Sequence, residues 1–108
     1  MLIVEKTSTG NFKLGEYKQD YTAVPTVVNR GQLTTILFIF EQYKLNTLSI
    51  GYSYCFFDLY NSLVVIKLTL DNKLLFGVVL DDANFQTNPS FLDGKNISDM
   101  LERIKQIW

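Results

Sequence analysis

Apolar and polar residues alternate with a period of two over much of the chain, as strands require when successive side chains point to opposite faces. Leu2 to Lys6 and Phe12 to Tyr17 flank "STGN", whose Ser, Gly and Asn supply turn chemistry, and together they predict a first hairpin. Pro25 disfavours helix at the residue before it, so Thr26 to Val28 reads as a short extended piece. In "LSIGYSYCFF" the residues Leu48, Ile50, Tyr52, Tyr54 and Phe56 share one face and Ser49, Gly51, Ser53 and Cys55 the other. One face is large and aromatic and the other small, which predicts close packing against the small side and a buried Cys55 thiol. "SLVVIKLTL" and "LLFGVVL" flank the tight turn "DNK" and are apolar on both faces, the pattern of central strands covered on each side.

Two segments shift to helical spacing. "NISDMLERIKQIW" places Ile97, Met100, Leu101, Ile104, Ile107 and Trp108 on one stripe, with Asn96 as the expected N-cap and Asp99 three residues on. Early acids and the later Arg103 and Lys105 suit the helix dipole. "QLTTILFIFEQYK" carries Leu33, Ile36, Leu37, Phe40 and Tyr43 at helical intervals, although Thr34, Thr35, Ile36 and Ile39 favour strand; we read it as helix. The expected fold is a single α+β domain over 1–108. It has a mainly antiparallel sheet of five to six strands, with the C-terminal helix and one central helix packed on it.

Composition narrows the chemistry. The 108 residues include no histidine, which removes Ser-His-Asp and Cys-His nucleophile systems and His-based zinc sites. Cys55 is the single cysteine, so no internal disulfide forms, and within an apolar strand without a histidine it lacks what lowers a thiol pKa. The six glycines are scattered singly and build no phosphate-cradling loop. Asp81 and Asp82 are adjacent on a strand end, point to opposite faces, and cannot converge on one scissile bond. We expect no enzymatic activity and no cofactor.

The polar stretch "LDDANFQTNPSFLDG" spaces oxygen-bearing residues from Asp82 to Asp93 at the intervals of an EF-hand loop. Thr87 stands where that loop needs Gly, Pro89 interrupts it, and Asp93 replaces the bidentate Glu, so no metal is expected. Its length and its mixture of acids with aromatics suit a partner surface instead, with Asp81, Asp82, Phe85, Phe91 and Asp93 as the partner-binding residues. With a pI of 5.2 and dispersed Lys and Arg, nucleic acid is not an expected partner. Apolar runs such as "ILFIF" are too short to span a membrane, and the opening "MLIVEKTSTG" has no signal-peptide pattern, which points to a reducing cytoplasm.

The hairpin "SLVVIKLTLDNKLLFGVVLDD", the polar connection and the terminal helix "NISDMLERIKQIW" resemble in layout the small immunity proteins of bacterial polymorphic-toxin and contact-dependent inhibition systems. The resemblance covers about half the chain and implies a non-catalytic protein that binds and neutralises a cognate toxin domain, such as a nuclease. From Val79 onward five acids outnumber three bases, a balance that complements a basic active site. The competing expectation is a homo-oligomeric or small-ligand-binding domain in which the small face of "SIGYSYC" lines an interface or cavity, and a phage-encoded inhibitor of a host enzyme is a third. A monomer or a small homo-oligomer fits each of them.

Overall fold

The computed structural model describes residues 2–16, 25–81, 86–87, 90–92 and 94–108. The chain runs β1 (Leu2–Lys6), β2 (Phe12–Glu16), β3 (Thr26–Val28), α1 (Arg30–Lys44), β4 (Ser53–Phe57), β5 (Leu63–Leu68), β6 (Leu74–Asp81), β7 (Gln86–Thr87), β8 (Ser90–Leu92) and α2 (Gly94–Ile107). The class is α+β with antiparallel pairing throughout the described strands. The expected single sheet is instead two. β1-β2-β3 forms one, and β4-β5-β6 forms the other, extended by β7 and β8, which both pair with β6. The division follows from what meets the free edge of β3: at Val27 its carbonyl accepts a hydrogen bond from Leu59, a turn residue, rather than from a strand. Among the described residues, that bond and the Asp58 contact described below are the hydrogen bonds that tie β3 to the turn after β4.

Local chemistry explains the element boundaries. The first hairpin turns through Thr7–Asn11, with Gly10 at φ 82°, a left-handed conformation that glycine adopts without penalty. α1 forms in spite of its β-branched residues because both ends are capped. At its start the Asn29 side chain accepts from the Gln32 amide at 2.7 Å, and the Gln32 side chain accepts in return from the Asn29 amide at 3.0 Å. Thr34 is accommodated by donating its hydroxyl to the Arg30 carbonyl one turn back. Lys44 in the last turn suits the dipole, and Asn46 at φ 58° ends the helical path.

β4 begins later than the alternation implied. Its partner β5 ends opposite Tyr52, where the Leu68 amide donates to the Tyr52 carbonyl. Leu48 to Gly51 therefore have no strand to pair with, and they turn instead, with Gly51 at φ 82° and the Tyr52 amide donating to Ser49. α2 starts at Gly94, two residues before the expected cap, so Asn96 sits in its first turn, where backbone amides need no intrahelical acceptor. The β5–β6 turn is stitched by Thr69. Its hydroxyl donates to the Asp71 carboxylate, which with Lys73 nearby holds that carboxyl below its ordinary range.

Both sheets and both helices share one core. Val4, Phe12, Leu14 and Val28 from the first sheet meet Leu33, Ile36, Ile39 and Phe40 of α1 and Ile97, Met100, Leu101 and Ile104 of α2. Val64, Ile66, Leu68, Leu74, Phe76 and Val78 complete it from the second sheet, and the Phe40 and Phe76 rings meet edge to face at 5.6 Å. Trp108 lies against the Phe12 ring at 5.9 Å and beneath the Arg30 guanidinium, which also donates to the Trp108 main-chain oxygen at 2.7 Å. The C-terminal helix is thus part of the core, as its apolar stripe predicted. Leu101→Ala should cost about 2 to 3 kcal/mol, read as a lowered midpoint in urea at unchanged slope; a midpoint within error of the parent would mean that the helix is only loosely docked.

Candidate functional site

The alternation along β5 and β6 sends one set of side chains into the core and leaves the other set outside. Register groups the second set into three rows across the sheet. Ser53 lies opposite Lys67 and Lys67 opposite Leu75; Cys55 opposite Val65 and Val65 opposite Gly77; Phe57 opposite Leu63 and Leu63 opposite Val79. Residues opposite one another on adjacent strands project to the same side, so these nine residues form one face. Ser53, Cys55 and Phe57 are exposed, Phe57 at 60%, while Leu63, Val65, Leu75, Gly77 and Val79 are half-buried. Lys67 is the single charged residue among the nine.

The expectation of cover on both faces of β5 and β6 is therefore not met among the described residues. The reason is topological: α1 and α2 both pack into the shared core, leaving no helix for the other side. The same geometry corrects the reading of Cys55. Its thiol is exposed, because the small side of β4 faces outward while Tyr52, Tyr54 and Phe56 pack against the core. The turn that follows β4 adds Leu59 and Tyr60, exposed at 44% and 73%, beside the Phe57 end of the face.

That turn is held by one buried carboxylate. Asp58, 7% exposed, accepts the Thr26 hydroxyl at 3.0 Å on one oxygen and the Tyr60 and Ser62 amides, each at 2.9 Å, on the other. Asn61 at φ 61° closes the turn, and the Gln32 side-chain amide donates to the Phe57 carbonyl at 2.8 Å. Sheet, turn and helix start are thereby locked together, so the exposed apolar groups sit on a rigid support.

The residues expected to bind a partner are placed unevenly. Asp81 is the last residue of β6, and Phe91 lies in β8 opposite Leu75, which extends the first row of the face by one strand. Asp82, Phe85 and Asp93 lie outside the described residues. "LDDANFQTNPSFLDG" is not a plain connection either, since Gln86–Thr87 and Ser90–Leu92 fold back as strands along the edge of β6. Of the remaining C-terminal acids, Asp99 and Glu102 rim a groove of about 400 Å³ with Leu2, Ser98 and Arg103, and Arg103 donates to the Leu2 carbonyl. A second groove of about 410 Å³ lies at the opposite turn, lined by Leu48, Ile50, Leu68 and Leu70 together with Asn46, Thr69 and Asn72. Among the described residues no three His, Cys, Asp or Glu gather as metal ligands, and no helix is long and apolar enough to cross a membrane.

Phe57, Leu63, Val65, Leu75 and Val79 did not stand out as functional in the sequence. The signal was present: strands apolar on both faces, with two segments of helical spacing to cover them, leave one face short of cover. Comparison with protein-family models, curated protein sequences and solved structures finds no match to this chain.

Proposed function

We propose that this chain is a non-catalytic protein-binding module, an inhibitor of the immunity type that engages a cognate toxin domain in the cytoplasm. The observation that supports this reading most directly is the uncovered apolar face of β4, β5 and β6. Soluble monomers rarely leave so regular an apolar surface open unless something binds there. The face is the side of an open sheet, whereas small ligands favour concave pockets. The grooves found among the described residues lie away from this face, and a protein surface is the complement we propose for it. Phe91 continues the Leu75 row in register, and Asp81 follows a register shift at the end of β6, so the polar stretch adjoins the margin of the apolar face. Aromatic and aliphatic groups then supply affinity, and acids at the edge supply orientation and speed of encounter.

The test is binding kinetics against the protein encoded beside this chain's gene, at two salt concentrations. Phe91→Ala, and Phe85→Ala with it, should raise the dissociation rate about tenfold with little change in association. Asp81→Lys combined with Asp82→Lys should slow association and flatten its salt dependence. Rates unchanged by all four substitutions would place the binding surface elsewhere.

A further inference from the structure

We infer that the partner presents a carboxylate, set within an otherwise apolar surface, to Lys67 in the first row of the outer sheet face. The inference rests on the reading of that face as the binding surface. Lys67 is the single charge among the nine outward residues of β4, β5 and β6. It is exposed, and among the described residues its ammonium makes no ion pair and no hydrogen bond. The acids at the two ends of the β5–β6 hairpin do not serve it. Asp71, in the turn after β5, accepts the Thr69 hydroxyl and lies 3.8 Å from Lys73. Asp81 is six residues beyond Leu75 along β6, about 20 Å away. The charge on this face is therefore left for something outside the chain to balance.

Ladder geometry sets the surroundings of that charge. The Leu68 amide donates to the Tyr52 carbonyl and the Asp58 amide to the Ser62 carbonyl, so the bonded positions of β4 and β5 are the inward ones. Ser53 and Lys67 are then a non-bonded pair, the kind in which Cα atoms approach to about 4.5 Å and side chains lie closest. The small Ser53 side chain leaves room beside Lys67, and its hydroxyl offers a second donor to the same carboxylate. Leu75 lies opposite on the other side, and Val65 two residues back along the strand. β5 is itself a central strand, with β4 and β6 on its two sides. A wholly apolar partner that closed over this row would strip water from the ammonium and put nothing in its place, which opposes binding. A basic partner surface would add like-charge repulsion, and a neutral acceptor would supply one hydrogen bond without balancing the charge. A carboxylate does both, and because Lys67 is alone on the face it also fixes the orientation in which the two surfaces meet.

The experiment is titration calorimetry of the whole chain against the protein encoded beside its gene, with Val65→Lys run in parallel as the control for the face itself. Lys67→Met keeps the aliphatic stem and removes the charge. It should melt within a few degrees of the parent, because Lys67 lies outside the core, and should raise Kd at least about 30-fold, because the partner's carboxylate is then buried alone. Lys67→Arg keeps the charge and should hold Kd within about tenfold of the parent. Lys67→Glu should bind more weakly than Lys67→Met, and an acid-to-lysine change at one position of the partner should restore its binding. Equal losses in Lys67→Arg and Lys67→Met would mean that side-chain shape rather than charge is read, and would overturn the inference. So would a Lys67→Met variant that binds as the parent does, or more tightly, while Val65→Lys binds weakly: the face would then be the interface, with the ammonium reaching water at its rim and no carboxylate opposite. That outcome leaves the proposed function standing. Full affinity in Val65→Lys, or no binding by the parent, removes the face as the contact with this protein and overturns both.

Discussion

Asp58→Ala is expected to destabilise the fold by about 3 kcal/mol or more, although it removes only the carboxylate carbon and its two oxygens and creates no aromatic-sized hole. The carboxylate satisfies three donors, and one of them, the Thr26 hydroxyl, is 1% exposed and has no route to water. Each hydrogen bond to a charged acceptor is worth about 1.5 to 3 kcal/mol, and an unsatisfied buried donor adds its own desolvation cost. The loss also frees the turn that joins β4 to β5 and releases its link to β3. For a domain of this size a loss of 3 kcal/mol lowers the melting temperature by roughly 10 to 20 °C. Asp58→Asn is the informative companion, since its amide oxygen still accepts from the Tyr60 and Ser62 amides as an Asx turn does. It should recover more than half of the loss. Calorimetry on the three proteins decides the matter: an alanine variant as stable as the parent would mean that the turn is held by its backbone bonds alone.

Val65→Lys should weaken binding to the proposed partner at least about 30-fold while leaving stability nearly intact. Val65 is the central residue of the uncovered face, flanked by Cys55 and Gly77, small neighbours that let a partner approach closely. A lysine there desolvates an unpaired charge at the middle of an interface, and loss at such a position is at least about 2 kcal/mol, a weakening of roughly 30-fold or more. Phe57→Ala, at the rim of the same face and 60% exposed, should weaken binding about tenfold. Both variants should melt within a few degrees of the parent, because neither side chain lies in the core cluster. Titration calorimetry against the candidate toxin domain separates the outcomes. Full affinity in Val65→Lys would remove the sheet face as the binding surface, even if the polar edge near Phe91 still contributed.

What the sequence determined by itself is the set of elements whose cause is local. The first hairpin was legible because a left-handed Gly10 sits between two alternating runs, and the terminal helix because Ile97, Met100, Leu101 and Ile104 recur on one stripe. α1 was legible from the helical spacing of Leu33, Ile36, Leu37, Phe40 and Tyr43, but its start at Arg30 and the Asn29–Gln32 cap that favours it over its β-branched residues were not read from the sequence. The lack of histidine, and with it the exclusion of several chemistries, needed no structure. Tertiary structure alone decided where each strand stopped and which faces were covered. "LSIGYSYCFF" alternates over its whole length, yet only Ser53–Phe57 pairs, because the length of β5 is what limits it. β5 and β6 carry apolar residues on both faces, and a pattern along one strand cannot say on which side the helices will dock. Both helices went to the same core, and that choice exposed Cys55 and Phe57 and left Val65 half-buried on the same face. Local spacing specifies which residues share a face; whether that face meets core or solvent is set by the competition of all elements for one limited apolar volume.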